Sequence, residues 1–202
     1  MCLLVQVKRL YWIVGGGSLQ FTFSFVSFQN SKAKVVVIGH SFVPSVLRLP
    51  NAEVTILRKP GGTTSDLKQN PFYRANFEEW DVAVIHLGGN DLRKETPGKC
   101  FTILCKFIKN LTVKKVILVE PERRIPKPAN RVSPSYASRG TRLSKLMRDH
   151  CRFQEWDVLR LRKNEYFQHI CSDGVHLNIE GNRLYVEEMK RLINKAIRKY
   201  QF

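Results

Sequence analysis

Cysteine and acidic residues are both scarce in this sequence. The 202 residues include five cysteines, and no two of them form a Cys-x-x-Cys pair. A small, odd-numbered set without close pairs excludes a disulfide framework and favours a reducing, intracellular setting.

Long hydrophobic runs are also absent. The longest candidates, at 10–14 and 21–28, are broken by Gly, Ser, Thr and Gln, whereas a spanning helix needs roughly 20 consecutive apolar residues. We therefore expect no membrane span. Apolar residues at 43% and charged residues at 25% are typical of a globular protein, and the length suits one α/β domain.

The shortage of acidic residues leaves a large positive charge. The chain has 34 Lys and Arg against 17 Asp and Glu, a net charge of +17, which favours polyanions as partners unless the charge is simply a solvated surface. The densest basic stretch is 123–152, where Tyr136 is nearly the only aromatic residue, so phosphate contact is more plausible there than base stacking. The candidate nucleic-acid-binding residues are Arg123, Arg124, Lys127, Arg131, Arg139 and Arg142.

Residues 1–30 differ from the rest of the chain. They contain no acidic residue, a Gly15–Gly17 triplet and a strand-like alternation of Phe. The order of charge, apolar block and small residues that defines a secretory signal is not clearly met. We expect a poorly ordered extension or an extra edge strand, with a targeting segment as the alternative.

Short apolar runs alternate with amphipathic stretches from Lys34 onward. The runs cover 35–38, 54–57, 82–87, 116–119 and 158–161, and the stretches 100–111 and 182–200 place apolar residues on one helical face. Continuous apolar runs predict strands buried on both faces, as in parallel sheets. The pattern predicts a three-layer α/β/α sandwich with a five-stranded parallel sheet, whose ligands bind at the carboxyl ends of the strands.

Small and polar residues follow these strands. The clusters are Gly39, His40 and Ser41 after the first strand, Gly61 to Thr64 after the second, Gly88 to Asp91 after the third, and Asp173 with His176 before the last helix. Because the carboxyl ends of parallel strands meet at one edge of a sheet, we expect the first three clusters to lie close together.

These residue types match the requirements of acyl transfer. A serine hydroxyl becomes an effective nucleophile when an imidazole takes its proton and a carboxylate orients that imidazole. We predict Ser41, His176 and Asp173 in these catalytic roles. The oxyanion of the intermediate needs preorganised donors, and the candidates are the N–H groups of Ser41 and Gly61 and the amide of Asn90.

The clusters resemble the signature blocks of the SGNH (GDSL-type) hydrolase superfamily. Its Gly-Asp-Ser, second-block glycine, Gly-x-Asn-Asp and Asp-x-x-His are matched by Gly39 to Ser41, Gly61, Gly88 to Asp91, and Asp173 with His176. The resemblance spans about 33–199 and implies a flavodoxin-like sandwich, a hydrolase domain over residues 31–202, ester hydrolysis, and no metal or organic cofactor. The sequences Gly-His-Ser-Phe-Val and Asp-Gly-Val-His-Leu-Asn further resemble SGNH modules in animal proteins of retroelement origin.

One residue departs from the family pattern, because His40 stands where the family has aspartate. Successive residues leaving a strand point in opposite directions, so we expect His40 to be structural rather than a base for Ser41. Two alternatives stay open: Ser41 as a helix N-cap, and a catalytically idle fold that binds RNA or DNA through its basic surface.

The expected substrate is a small-molecule or lipid ester, and the sequence indicates no particular oligomeric state. No metal site is expected, because His150 and His169 lack metal-like spacing to cysteine or carboxylate residues, and His86 in the third strand is expected to be a core or rim histidine.

Overall fold

Five parallel strands form the centre of the fold. The computed structural model describes residues 32–125, 135–161, 166 and 168–200. The strands are β1 (Ala33–Gly39), β2 (Ala52–Arg58), β3 (Glu79–His86), β4 (Thr112–Val119) and β5 (Asp157–Leu159). The helices are α1 (Pro97–Lys109), α2 (Tyr136–Gln154) and α3 (Ile179–Tyr200), and 3-10 turns cover Thr64–Lys68, Phe72–Phe77 and Asp91–Arg93.

The strand order brings the ends of β1, β2 and β3 together. The order is β2-β1-β3-β4-β5, and Gly39 at the end of β1 is in register with Arg58 of β2 and His86 of β3. The chain passes from β1 to β2 on one side of β1 and then returns to β3 on the other side. The carboxyl edge between β1 and β3 is therefore the switch point at which such sheets bind ligands.

Each face of the sheet has its own apolar core because side chains alternate along a strand. Val35 and Val37 of β1 belong to a cluster with Tyr185, Met189 and other residues of α3. Their neighbours in β1, Val36 and Ile38, belong to a second cluster formed mainly with α1 and α2. That cluster includes Leu104, Leu143 and Met147.

The predicted three-layer sandwich with a five-stranded parallel sheet is confirmed. The predicted element bounds differ by a few residues. The last strand was expected at 158–161, but β5 ends at Leu159 because pairing with β4 stops at Val119. The predicted extension over residues 1–30 lies outside the described residues and stays a prediction.

Among the described residues, no helix combines the length and apolar composition required to cross a bilayer.

Candidate active site

Ser41 lies in a tight turn directly after β1. Gly39 permits this turn, because a Cβ atom there would lie only 2.7 Å from the backbone oxygen of His86 in β3. The backbone N–H of His40 donates to that same oxygen, and the N–H of Val43 donates to the His40 carbonyl. The side chain of His40 is buried, whereas Ser41 stays partly exposed at the sheet edge.

His176 and Asp173 lie on the loop that precedes α3. Ser41 Oγ is 3.2 Å from His176 Nε2, and His176 Nδ1 is 2.6 Å from Asp173 Oδ2. The other carboxylate oxygen of Asp173 accepts the backbone N–H groups of Val175 and His176. Phe42 stacks on the His176 ring at a centroid distance of 5.6 Å. The His176 ring therefore stacks on Phe42, and its two nitrogen atoms lie beside the hydroxyl of Ser41 and the carboxylate of Asp173.

The environment of Asp173 favours its charged form. Burial acts to raise its pKa, but the hydrogen bond from His176 and the two backbone N–H donors outweigh burial and lower the pKa below its ordinary value. The side chains of Asp173 and His176 are about half exposed, at 47% and 48%. Both side chains are therefore accessible from solvent.

The second and third strand-end loops lie beside this turn. Gly61 has a φ of +70°, a conformation that favours glycine, and no atom lies within 4 Å of the position its Cβ would take. Asn90 is half-buried, and its Nδ2 donates to the Gly62 carbonyl at 3.0 Å. An amide nitrogen has two N–H donors, and the Gly62 carbonyl takes up one of them.

Asp91 connects these two loops rather than facing the serine. Its buried carboxylate accepts the backbone N–H of Thr64 at 2.9 Å and also the Thr64 hydroxyl. Burial raises the pKa of Asp91, and the Thr64 hydrogen bonds only partly oppose that rise. This placement gives Asp91 a structural role between the two loops.

A buried polar cluster lies beneath the turn that carries Ser41. Nε2 of His40 and Nε2 of His86 are 3.8 and 3.9 Å from Oε2 of Glu122, and His86 Nδ1 is 2.9 Å from the hydroxyl of Tyr185. Burial lowers the pKa of His40 and, more strongly, that of His86. Burial acts to raise the pKa of Glu122, but the charge of Arg124 and the two histidines hold it at about 2. The cluster thus contains a carboxylate, a guanidinium and two imidazoles that favour the neutral form.

Three ligand-type atoms of this cluster, from His40, His86 and Glu122, lie within 4.8 Å of one another. Arg124 already balances the carboxylate charge. A divalent cation would therefore leave two uncompensated positive charges in a buried site, which is strongly unfavourable. The charge balance gives no support to a metal centre here.

The predicted nucleic-acid-binding residues are not equivalent in the structure. Arg124 was expected on a basic surface, and this was wrong, because it is buried against Glu122. Arg139 is half-buried and donates to the Leu92 carbonyl at 3.1 Å, whereas Arg142 is exposed and Arg123 is half-buried. Lys127 and Arg131 lie outside the described residues, so nucleic-acid binding by the remaining residues stays a prediction.

Glu122 was missed by the sequence reasoning, and Arg124 was assigned to the wrong place. One signal was available: the two residues are two positions apart just after β4, and residues i and i+2 of extended chain project to the same side. A carboxylate and a guanidinium at that spacing, at the carboxyl edge of the sheet, are suited to form an ion pair at the site.

Comparison with solved structures identifies the fold. The chain is similar to an aryl esterase from M. smegmatis, with a TM-score of 0.60 and 15% identity over 81% of this chain and 99% of that one. It is also similar to a lipase/acylhydrolase from Enterococcus faecalis, with a TM-score of 0.60 and 22% identity over 80% and 95% of the two chains. A lipolytic protein of the G-D-S-L family from Veillonella parvula gives a TM-score of 0.63 and 13% identity over 80% and 98%.

No protein-family model matches the sequence, and no curated protein matches it either. The similarity to the solved structures is therefore one of backbone fold, at a sequence identity of 13–22%. The chain therefore shares the α/β fold of these structures.

Proposed function

We propose that the protein is a serine esterase that hydrolyses carboxylic esters. The observation that carries this proposal is the continuous contact from Ser41 Oγ to His176 Nε2 and from His176 Nδ1 to Asp173. A serine that merely capped a helix would need no imidazole at its hydroxyl. The esterase and lipase names of the similar structures support the same class of reaction.

In the proposed mechanism, Ser41 Oγ attacks the acyl carbonyl carbon while His176 Nε2 takes the hydroxyl proton. Asp173 holds the imidazole in orientation and stabilises the imidazolium. The intermediate collapses when the C–O bond to the alcohol breaks and His176 gives its proton to the leaving oxygen. Water then attacks the acyl-enzyme with His176 again as the base, releasing the carboxylic acid and regenerating Ser41.

The negative charge on the intermediate's oxygen needs donors that are already in place. The proposed donors are the backbone N–H groups of Ser41 and Gly61 and the second N–H of Asn90. Loss of one such donor in other hydrolases lowers kcat by about 10²–10³-fold. We expect Asn90→Ala to produce a loss of this size.

The proposal is tested with a fluorophosphonate probe and a short aryl ester such as p-nitrophenyl acetate. We expect the probe to label Ser41, and Ser41→Ala to abolish labelling and to lower kcat by at least about 10³-fold, because no nucleophile remains. Labelling should also disappear in His176→Ala, which leaves the hydroxyl without a base.

Ser45→Ala is the matched control, because Ser45 is an exposed serine four residues further along the same loop. It should leave both labelling and turnover unchanged. Equal hydrolysis by the parent and by Ser41→Ala, or an adduct on another residue, would rule out the proposed nucleophile.

A further inference from the structure

A buried ion pair lies behind the proposed oxyanion hole. Arg124 Nε donates to Glu122 Oε1 at 2.8 Å, and Nη2 donates to the same oxygen. The two side chains are only 1% and 3% exposed. The Arg124 guanidinium also lies over the ring of Tyr136, 4.7 Å from its centroid. Ring and carboxylate together hold the guanidinium in one plane.

The same guanidinium reaches the side chain of Asn90. Arg124 Nη2 donates to Asn90 Oδ1 at 2.9 Å, while Asn90 Nδ2 donates to the Gly62 carbonyl at 3.0 Å. A guanidinium has only donors, so the atom of Asn90 that faces it must be the carbonyl oxygen. If the Asn90 amide were turned by 180°, its nitrogen would face the Arg124 donor and its oxygen would face the Gly62 carbonyl oxygen. The pair of contacts therefore admits one orientation of the amide.

We propose that Arg124, anchored by Glu122, is a positioning residue that fixes the Asn90 amide with its nitrogen toward the oxyanion. This inference rests on the proposed esterase function. It assigns a role to a side chain that touches neither the substrate nor the reacting atoms. Arg124 acts by keeping a donor oriented before the charge develops, which is the condition for such a donor to be effective.

The backbone around Asn90 supports this assignment. A Cβ on Gly89 would lie 2.8 Å from Glu122 Oε1 and closer still to Oε2. The carboxylate therefore lies close to Gly89, the residue before Asn90, while the guanidinium binds the Asn90 side chain. Glu122 and Arg124 thus contact two adjacent residues of one loop.

Removing the whole pair tests the role without leaving a buried charge. Replacing a buried ion pair by apolar residues of similar size is often neutral or stabilising, so Glu122→Leu with Arg124→Met should remain folded. We expect this double variant to lower kcat for an aryl acetate by about 10–100-fold, with KM changed less than about threefold, because the amide is no longer oriented.

A double-mutant cycle separates positioning from a general structural effect. In an Asn90→Ala background there is no amide to orient, so the same pair replacement should change kcat by less than about twofold. An equal loss of kcat in both backgrounds would show that the pair acts on the fold as a whole and would overturn the proposal. Full activity of the double variant would overturn it too.

Arg124→Lys provides a second test should the double variant not fold. Lysine keeps a positive charge beside Glu122 but lacks the planar fork that spans two acceptors. We expect Arg124→Lys to remain folded and to lose kcat without a comparable change in KM. Unchanged kcat in this variant would count against the proposal.

The orientation of the amide has a readout that needs no turnover. In ¹⁵N-labelled parent protein, the two side-chain N–H signals of Asn90 should be well separated, and in the double variant they should shift and broaden. The amide of Asn182, which donates to the Leu177 carbonyl, is the internal control. Unchanged Asn90 signals would overturn the positioning of the amide by Arg124, whereas a failure of Ser41→Ala to lose activity would overturn the proposed function on which the inference rests.

Discussion

At the scale of single residues, Gly39 sets the course of the chain into the candidate active site. A Cβ there would meet the backbone oxygen of His86 at 2.7 Å and Cγ2 of Val43 at 2.5 Å. The carbonyl belongs to β3 and cannot rotate away. We expect Gly39→Ala to lower the free energy of unfolding by about 1–3 kcal/mol, as overpacking does in cores, and to slow ester hydrolysis. Urea unfolding and initial rates measure the two effects.

Gly98→Ala is the matched control for that substitution. Gly98 lies in the first turn of α1, and nothing lies within 4 Å of the position its Cβ would occupy. Alanine is favoured over glycine in a helix by up to about 1 kcal/mol, so this variant should be as stable as the parent or more stable. Equal losses for the two variants would contradict the steric explanation.

At the residue level, the sequence pointed to three side chains that the structure brings into contact, and their catalytic roles stay a proposal. Ser41, Asp173 and His176 were predicted from spacing and do lie in hydrogen-bonding contact. Arg124 was misplaced because a guanidinium in a basic stretch has the same sequence appearance on a surface as in a buried pair. The presence of a partner, Glu122, distinguishes a buried Arg124 from a surface one. Whether Arg124 meets Glu122 depends on the path of the chain after β4.

At the scale of elements, the loop after β2 is joined to the loop after β3 by hydrogen bonds between Thr64 and Asp91. Thr64 is fully buried and gives both its backbone N–H and its hydroxyl to Asp91. The substitution Thr64→Val keeps the shape of the side chain but removes its hydroxyl donor. A hydrogen bond to a charged group contributes about 1.5–3 kcal/mol, so we expect a loss of that order in the free energy of unfolding, measured by urea titration.

The same substitution at an exposed site serves as the control. Thr102 is an exposed residue of α1, and Thr102→Val should change stability by less than about 0.5 kcal/mol. A similar loss at both positions would mean that valine itself, rather than the bond to Asp91, causes the destabilisation.

Element prediction was accurate where burial alone determines the structure. The strands of the sheet centre are apolar because both faces are covered, and this property is visible in a single sequence. The 3-10 turns at Thr64–Lys68 and Phe72–Phe77 were not predicted. They are too short for a helical period to appear, and contacts from residues outside the turns support them, such as the hydrogen bonds from Thr64 to Asp91 and from Trp80 Nε1 to the Ala75 carbonyl.

At the scale of the whole molecule, a group of buried ionisable side chains lies at the carboxyl edge of the sheet, where β1 and β3 end. His40 and His86 are buried, and their rings are 4.5 Å apart between centroids. The groups that face them are Glu122, Arg124 and Tyr185. Because this cluster lies where β1 and β3 end, its protonation affects the stability of the entire fold rather than of one loop.

The direction of the pH effect follows from the histidine pKa values. Burial lowers both below the ordinary value of 6.5. As the pH falls below about 6.5, the unfolded chain therefore binds protons at these two positions that the folded chain does not bind. The free energy of unfolding should fall with decreasing pH, approaching about 1.4 kcal/mol per pH unit for each histidine. Urea unfolding at a series of pH values between 7.5 and about 5 measures this slope.

His40→Gln isolates one of the two contributions, because glutamine cannot gain a proton in this range. Its stability should depend on pH less steeply than that of the parent between pH 6.5 and about 5, because the contribution of His40 is removed while that of His86 remains. Below pH 4.5 a second loss should begin in both proteins, because the pKa of Glu122 is held at about 2 in the folded state. An identical slope in the parent and in His40→Gln would mean that His40 is already protonated in the fold and that its charge is balanced by Glu122 rather than suppressed by burial.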